Sequence, residues 1–181
     1  MKIDNRKNHN SHGDGKLELS LFKKLGEHVI FETEVMVFHP EKISIGSNVY
    51  IGHRTILKGY FKNEMFIDEG TWIGQNCFFH SGGGIRIGKS VGIGPCVKIL
   101  TSCHLSDNLG QPVLHNPLIF EKVQIGNGAD IGVGSIILPG ILVGDGAIIG
   151  AGSIVTKNVP EYSIVAGNPA KILGFRKEAS V

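Results

Sequence analysis

The residue best suited to chemistry in this sequence is His104. It closes the stretch Ile99-Leu100-Thr101-Ser102-Cys103-His104 and stands just before the longest unpatterned segment, from about Ser106 to Lys122. An imidazole titrates near neutral pH, so it can take a proton from an attacking group and return it later. A lone histidine is more often an ordinary surface residue, so its position has to make the case. Two other histidines share the neighbourhood: His115 lies inside the unpatterned segment, and His80 follows Phe79 one turn of the repeat earlier. Cys103 next to His104 raises a thiol–imidazole pair. Neighbours on a strand face opposite ways, however, and Cys103 falls at an inward position, which predicts a core residue.

The elements that must hold these residues come from a repeat. An aliphatic residue followed by glycine recurs at Ile45-Gly46, Ile51-Gly52, Ile73-Gly74, Ile87-Gly88, Ile93-Gly94, Ile125-Gly126, Ile131-Gly132, Val143-Gly144 and Ile149-Gly150, with a spacing of six inside each run and Ile67-Asp68 as a variant. Four residues after each aliphatic comes a small or β-branched residue, such as Val49, Thr55, Cys77, Ala129 or Ser153. A helix cannot carry this pattern, since each interior glycine costs about 1 kcal/mol. A short strand plus a turn can. Alternation along the strand puts the aliphatic and the small residue on the same, inward side. The corner residues, for example Ser47-Asn48 and Asp145-Gly146, are types that tolerate turn dihedrals.

The runs group in threes, from Ile45, Ile51 and Leu57 to Val143, Ile149 and Val155, which makes five sets. Three hexapeptides close one triangular coil. Every break in the pattern falls between sets, so all insertions are expected at one corner of a prism. The expected architecture is all-β: a parallel β-helix of about five triangular coils over residues 41–160, with a loop insertion at about 106–122. Residues 1–40 form a tail and lead-in segment, and residues 161–181 form a C-terminal cap and tail.

Composition narrows the function. Lys+Arg 18 against Asp+Glu 16 gives no broad electrostatic footprint for nucleic acid. No apolar run reaches the roughly 18–20 residues of a membrane span. Met1 to Lys16 is polar and lacks the apolar stretch of a secretory signal, so it is expected to be a loose tail. Three cysteines without metal-ligand spacing predict a reducing, cytoplasmic setting and no disulfide framework.

The run from Ile125 to Lys171, and above all GAGSIVTKNVP with the exit AGNPAK, resembles the C-terminal half of the hexapeptide-repeat acetyltransferases. It is especially similar to the maltose, galactoside and polysaccharide O-acetyltransferase branch. The resemblance implies a left-handed β-helix, a homotrimer with active sites between prisms, and acetyl-CoA as co-substrate. It implies that His104 is the catalytic base, with His80 and His115 toward the acceptor; relatives often carry asparagine near the place of His80. For the cofactor it implies the backbone N–H of Val133 as oxyanion donor and Ala151 at the pantetheine. Thr156 and Lys157 would lie nearer the nucleotide, and Lys171 corresponds to a basic residue in relatives. Arg176 and Lys177 could add phosphate contacts. Some relatives have tryptophan where Asp130 stands. The implied activity is O-acetylation of a sugar hydroxyl, in polysaccharide or lipopolysaccharide biosynthesis. N-acetylation of a nucleotide-linked amino sugar is the alternative, and a streptogramin-type O-acetyltransferase or a non-enzymatic trimeric scaffold lie further off. No metal is expected, because the interval from His104 to His115 does not fit the three zinc histidines of γ-class carbonic anhydrases.

Overall fold

The computed structural model describes residues 11–177. The chain winds into a three-faced parallel β-helix. The first face stacks Lys24–Leu25, Ile43–Ile45, Met65–Ile67, Ile85–Ile87, Val123–Ile125 and Leu142–Val143 in that order. The second stacks Ile30–Phe31, Tyr50–Ile51, Trp72–Ile73, Gly92–Ile93, Asp130–Ile131 and Ile148–Ile149, and the third Met36–Phe38, Ile56–Lys58, Phe78–His80, Lys98–Leu100, Ile136–Ile137 and Ile154–Val155. Within each face the inward aliphatics pair in register along the column, as in Ile45↔Ile67 and Ile87↔Ile125.

The core is the one the repeat predicts. Ile45, Ile51, Leu57, Ile67, Ile73, Phe79, Ile87, Ile93 and Ile99 are fully buried, as are the small residues Val49, Thr55, Thr71, Cys77, Val91 and Val97. Some of those small residues also bond. Thr55 Oγ1 donates to the Gly74 carbonyl at 2.9 Å and accepts from the Cys77 N–H at 3.1 Å. Thr71 Oγ1 donates to the Gly88 carbonyl at 2.9 Å, and Ser135 Oγ to that of Gly150 at 3.1 Å. Each inner hydroxyl satisfies a corner carbonyl of the next coil. Burial pushes the Cys77 thiol up to about 11.

The column is longer than the glycine pattern indicates: six complete coils stand where about five are expected. The extra one is the first, built on Leu25, Phe31 and Val37. Their spacing is six, but only Leu25 is followed by glycine. The chain before this coil packs on it. Gly15 is buried, its carbonyl accepts from the Val37 N–H at 2.8 Å, and Phe22 closes the base of the core against Phe31. The polar stretch 1–10 lies outside the described residues. At the other end Val159 and Val165 bury themselves on the last coil, and Lys171–Phe175 folds back antiparallel on Ser163–Ala166.

All insertions into the six-residue spacing leave the third face and return to the first: 39–42, 59–64, 81–84 and 101–122. The prism therefore has two tight corners and one elaborated one.

Replacing Thr55 by valine keeps the shape and removes both bonds, stranding a buried carbonyl and a buried N–H. The expected loss is about 1–3 kcal/mol. Thermal unfolding should rank Thr55→Val well below wild type and Thr55→Ser close to it; a valine variant as stable as wild type would contradict this role.

Candidate active site

The elaborated corner carries His104. After Lys98–Leu100 the chain leaves the coil at Thr101, which is fully buried. Its hydroxyl donates to the His80 carbonyl and accepts from the Gly83 N–H at 2.8 Å, and its carbonyl takes the Glu121 N–H at 2.9 Å. From this anchor Ser102–His104 pairs antiparallel with Leu118–Phe120, His104 opposite Leu118. The hairpin stands apart from the three faces.

This exit corrects the placing of Cys103. Alternation counted from Ile99 puts it in the core, but the coil has ended by then and Cys103 is exposed. His104 is half-buried beside it. Its Nδ1 lies 2.9 Å from the backbone carbonyl of Asn116. A carbonyl only accepts, so Nδ1 carries a proton and the lone pair of the neutral ring is on Nε2. That is the tautomer a general base requires.

Asn116 is fully buried and holds the loop together. Its Nδ2 donates to the Leu105 carbonyl at 2.8 Å, its Oδ1 accepts from Gln111 Nε2, and its N–H donates to the Val113 carbonyl at 3.0 Å. Sequence reasoning misses it, because nothing in the repeat marks a loop asparagine. His115, just before it, is half-buried at the end of a short 3-10 turn, Val113–His115.

His80 lies on the same corner one coil earlier, its backbone paired with Leu100. Its ring is 5.4 Å from that of Tyr60. The foot of the hairpin packs close by: a Cβ on Gly82 would stand 2.9 Å from Phe120 Cε1 and 3.0 Å from His80 Cε1. Burial, with Lys58 and His12 adding positive charge, lowers the His80 pKa. The ring is therefore neutral at neutral pH.

The expected cofactor residues fall into two groups. Thr156, Lys157 and Lys171 come together, lining a groove of about 340 Å³ between the last coil and the folded-back tail. Val133 and Ala151 sit on a different corner, between the second and third faces, stacked one coil apart; the Gly152 N–H donates to the Val133 carbonyl at 2.8 Å. Both are exposed, and the Val133 N–H has no partner among the described residues. Arg176 donates to the Gly146 carbonyl at 3.0 Å. Among the described residues no three His, Cys, Asp or Glu side chains converge as a metal site would need, and no helix is long and apolar enough to cross a membrane.

A stacked hexapeptide prism with an imidazole on an extruded hairpin defines a class, and the comparisons fit it. The family described as hexapeptide repeat of succinyl-transferase matches residues 122–157. An acetyltransferase-family protein of Dictyostelium discoideum is 37% identical over 155 residues, covering 84% of this chain and 68% of that protein. Other curated relatives are matched over 28–55% of their own length. The maltose O-acetyltransferase from Clostridium difficile 630 superposes with a TM-score of 0.57 at 26% identity, covering 88% of this chain and 72% of that one. AntD, an N-acyltransferase from Bacillus cereus solved with dTDP-4-amino-4,6-dideoxyglucose and coenzyme A, shares the fold: TM-score 0.79, 24% identity, 88% and 87% covered. The chain belongs to the hexapeptide-repeat acetyltransferases.

Two measurements test this geometry. Nitrogen-15 NMR should find His104 as the Nδ1–H tautomer, and a mixture of tautomers in Asn116→Ala; an Nε2–H wild type would refute the carbonyl contact. His80 should titrate below its ordinary 6.5. Because the unfolded chain then binds the proton more readily, this group's stability contribution is present above about pH 6.5 and is lost as pH falls through the lowered value. A His80 titration above 6.5 would contradict its burial.

Proposed function

We propose that this protein is an O-acetyltransferase that moves the acetyl group of acetyl-CoA to a sugar hydroxyl, in polysaccharide or lipopolysaccharide biosynthesis. The observation that carries the reading is the His104 imidazole, with Nδ1 tied to the Asn116 carbonyl and Nε2 free at the elaborated corner. In the ternary complex Nε2 takes the hydroxyl proton as that oxygen attacks the thioester carbonyl. A C–O bond forms, the negative charge reaches the carbonyl oxygen, and the Val133 N–H of a neighbouring subunit receives it. The C–S bond then breaks, and the thiolate of CoA takes the proton back from the imidazolium.

The reading includes a homotrimer for a geometric reason. Val133 and Ala151 lie one full face away from the corner of His104, and the third face fills the space between them. A single prism cannot turn both corners toward one ligand, whereas two prisms side by side can. The groove at Thr156, Lys157 and Lys171 would then take the nucleotide end of CoA. His80 and His115 flank the acceptor on the two sides of the hairpin. The setting is cytoplasmic, where acetyl-CoA is made.

A CoA-release assay across sugars and nucleotide sugars, with hydroxyl and amino acceptors in parallel, tests the reading. His104→Ala should lower turnover by about 10²–10⁴ while the fold and the assembly, followed by light scattering, stay intact. Wild-type turnover in a folded His104→Ala trimer would remove the base assignment. Turnover of amino sugars alone would replace O-transfer with the N-acetylation of a nucleotide-linked amino sugar.

A further inference from the structure

The second face carries a feature on its outer side that the fold does not need. Its outward residues run Ile30, Tyr50, Trp72, Gly92, Asp130 and Ile148 up the column, one per coil. Tyr50 and Trp72 stack in parallel, with ring centroids 5.5 Å apart and planes 3° from each other. That separation is close to the coil spacing of about 4.8 Å, so the rings lie across the column and Tyr50 covers the lower face of Trp72. The upper face looks toward Gly92, which has no side chain. Trp72 is 42% exposed, and it is the single tryptophan of the sequence.

Gly92 is not demanded by its backbone. Its φ is not positive, and a Cβ on it would meet only the Asp130 side chain, with Oδ1 at 2.7 Å. The corner glycines differ, because a Cβ there would strike backbone. The Asp130 carboxylate thus folds down over Gly92, and no cation pairs with it among the described residues. A flat ring laid on Trp72 at van der Waals distance stands about one coil higher, level with Gly92, and its edge meets that carboxylate.

The face of an indole is negative and suits the apolar C–H face of a pyranose. A carboxylate accepts from two adjacent hydroxyls and repels an anion brought beside it. The seat also adjoins the chemistry. Asp130 precedes Val133 by three residues, at most about 10 Å of chain. Gly92 belongs to the coil whose third strand, Lys98–Leu100, leads into the His104 hairpin. Prisms standing side by side at one height, with His104 turned to a neighbour's Val133, also turn His104 to this seat. We propose that Trp72, Gly92 and Asp130 seat the acceptor ring: an uncharged pyranose lies on the free face of Trp72 and gives two adjacent hydroxyls to Asp130. The proposal rests on the acyl-transfer reading for the acceptor's role, and on these three residues alone for ring binding.

A single tryptophan lets the seat be read without catalysis. A panel of methyl hexopyranosides, titrated into the full chain without acetyl-CoA, should include at least one that changes the emission of Trp72 saturably. Gly92→Val keeps the tryptophan, suits a strand and fills the step, so it should weaken that binding at least tenfold. Asp130→Asn should weaken it about threefold. The matching uronic acid should bind wild type about tenfold more weakly than the neutral glycoside, and Asp130→Asn should narrow that gap. No response to any pyranoside, an unchanged response in Gly92→Val, or an amino sugar or uronic acid bound more tightly than every neutral ring overturns the proposal. An emission already that of a buried indole and unmoved by sugar would mean that another copy covers the face, which overturns it too. In the CoA-release assay Trp72→Ala should raise the acceptor KM about tenfold, with Trp72→Phe close to wild type and KM for acetyl-CoA constant. An unchanged acceptor KM in Trp72→Ala overturns the seat and leaves acyl transfer standing. If no acceptor turns over while pyranosides still move the emission, acyl transfer fails and the ring site stands.

Discussion

Every coil stands one strand spacing, about 4.8 Å, above the last, and at the two tight corners this brings backbone against backbone. A Cβ on Gly74 would stand 2.6 Å from the Pro95 nitrogen, on Gly94 2.7 Å from that of Val133, and on Gly132 2.5 Å from that of Ala151. Glycine is there for closeness; none of these three has a positive φ. The residues that do, such as Asn48 and Ser90, come two places later where the chain reverses. Close stacking also turns corner carbonyls toward the interior, which is why a hydroxyl recurs among the small inward residues. Thr55 and Thr71 are polar in a core of isoleucine because the corner above each needs a donor.

This constraint explains how much could be read in advance. Period six is the direct image of a strand and a corner of fixed size, so the inward aliphatics, the grouping in threes and the corner of the insertions are all legible. The first coil is legible only in half. Leu25, Phe31 and Val37 keep the spacing, but only Leu25 is followed by glycine: Glu32 departs from the glycine of the other second positions, and third positions carry no glycine in any coil. Cys103 marks the opposite limit. Alternation holds only while the strand belongs to the sheet, and Thr101 takes the chain out of it. Asn116 is invisible for a related reason: its contacts lie within an insertion, which has no period.

Chemistry on this scaffold has to happen where the stacking rule is relaxed. At the tight corners the position after the inward aliphatic is glycine in most coils, because a Cβ there collides with the next coil, and the side chains that follow pair between adjacent coils, as Arg54 does with Glu34 and Lys89 with Glu69. The third corner has room, because each insertion spaces the chain away from its neighbour, and there the side chains are large: Tyr60, Phe61, His80, Phe120 and His104.

Room brings a cost in order. A hairpin outside the stack loses the coil-to-coil hydrogen bonds that hold everything else in place, and an imidazole on it would sample many orientations. The loop restores order by its own means. Thr101 bonds the foot of the hairpin to His80 and Gly83 of the coil before, and Asn116 fastens the tip by three bonds to Leu105, Gln111 and Val113. What faces His104 is then a carbonyl whose own residue is fully buried and cannot turn away. The repeat supplies a rigid post, and a single buried amide in the longest insertion sets the direction in which the imidazole points.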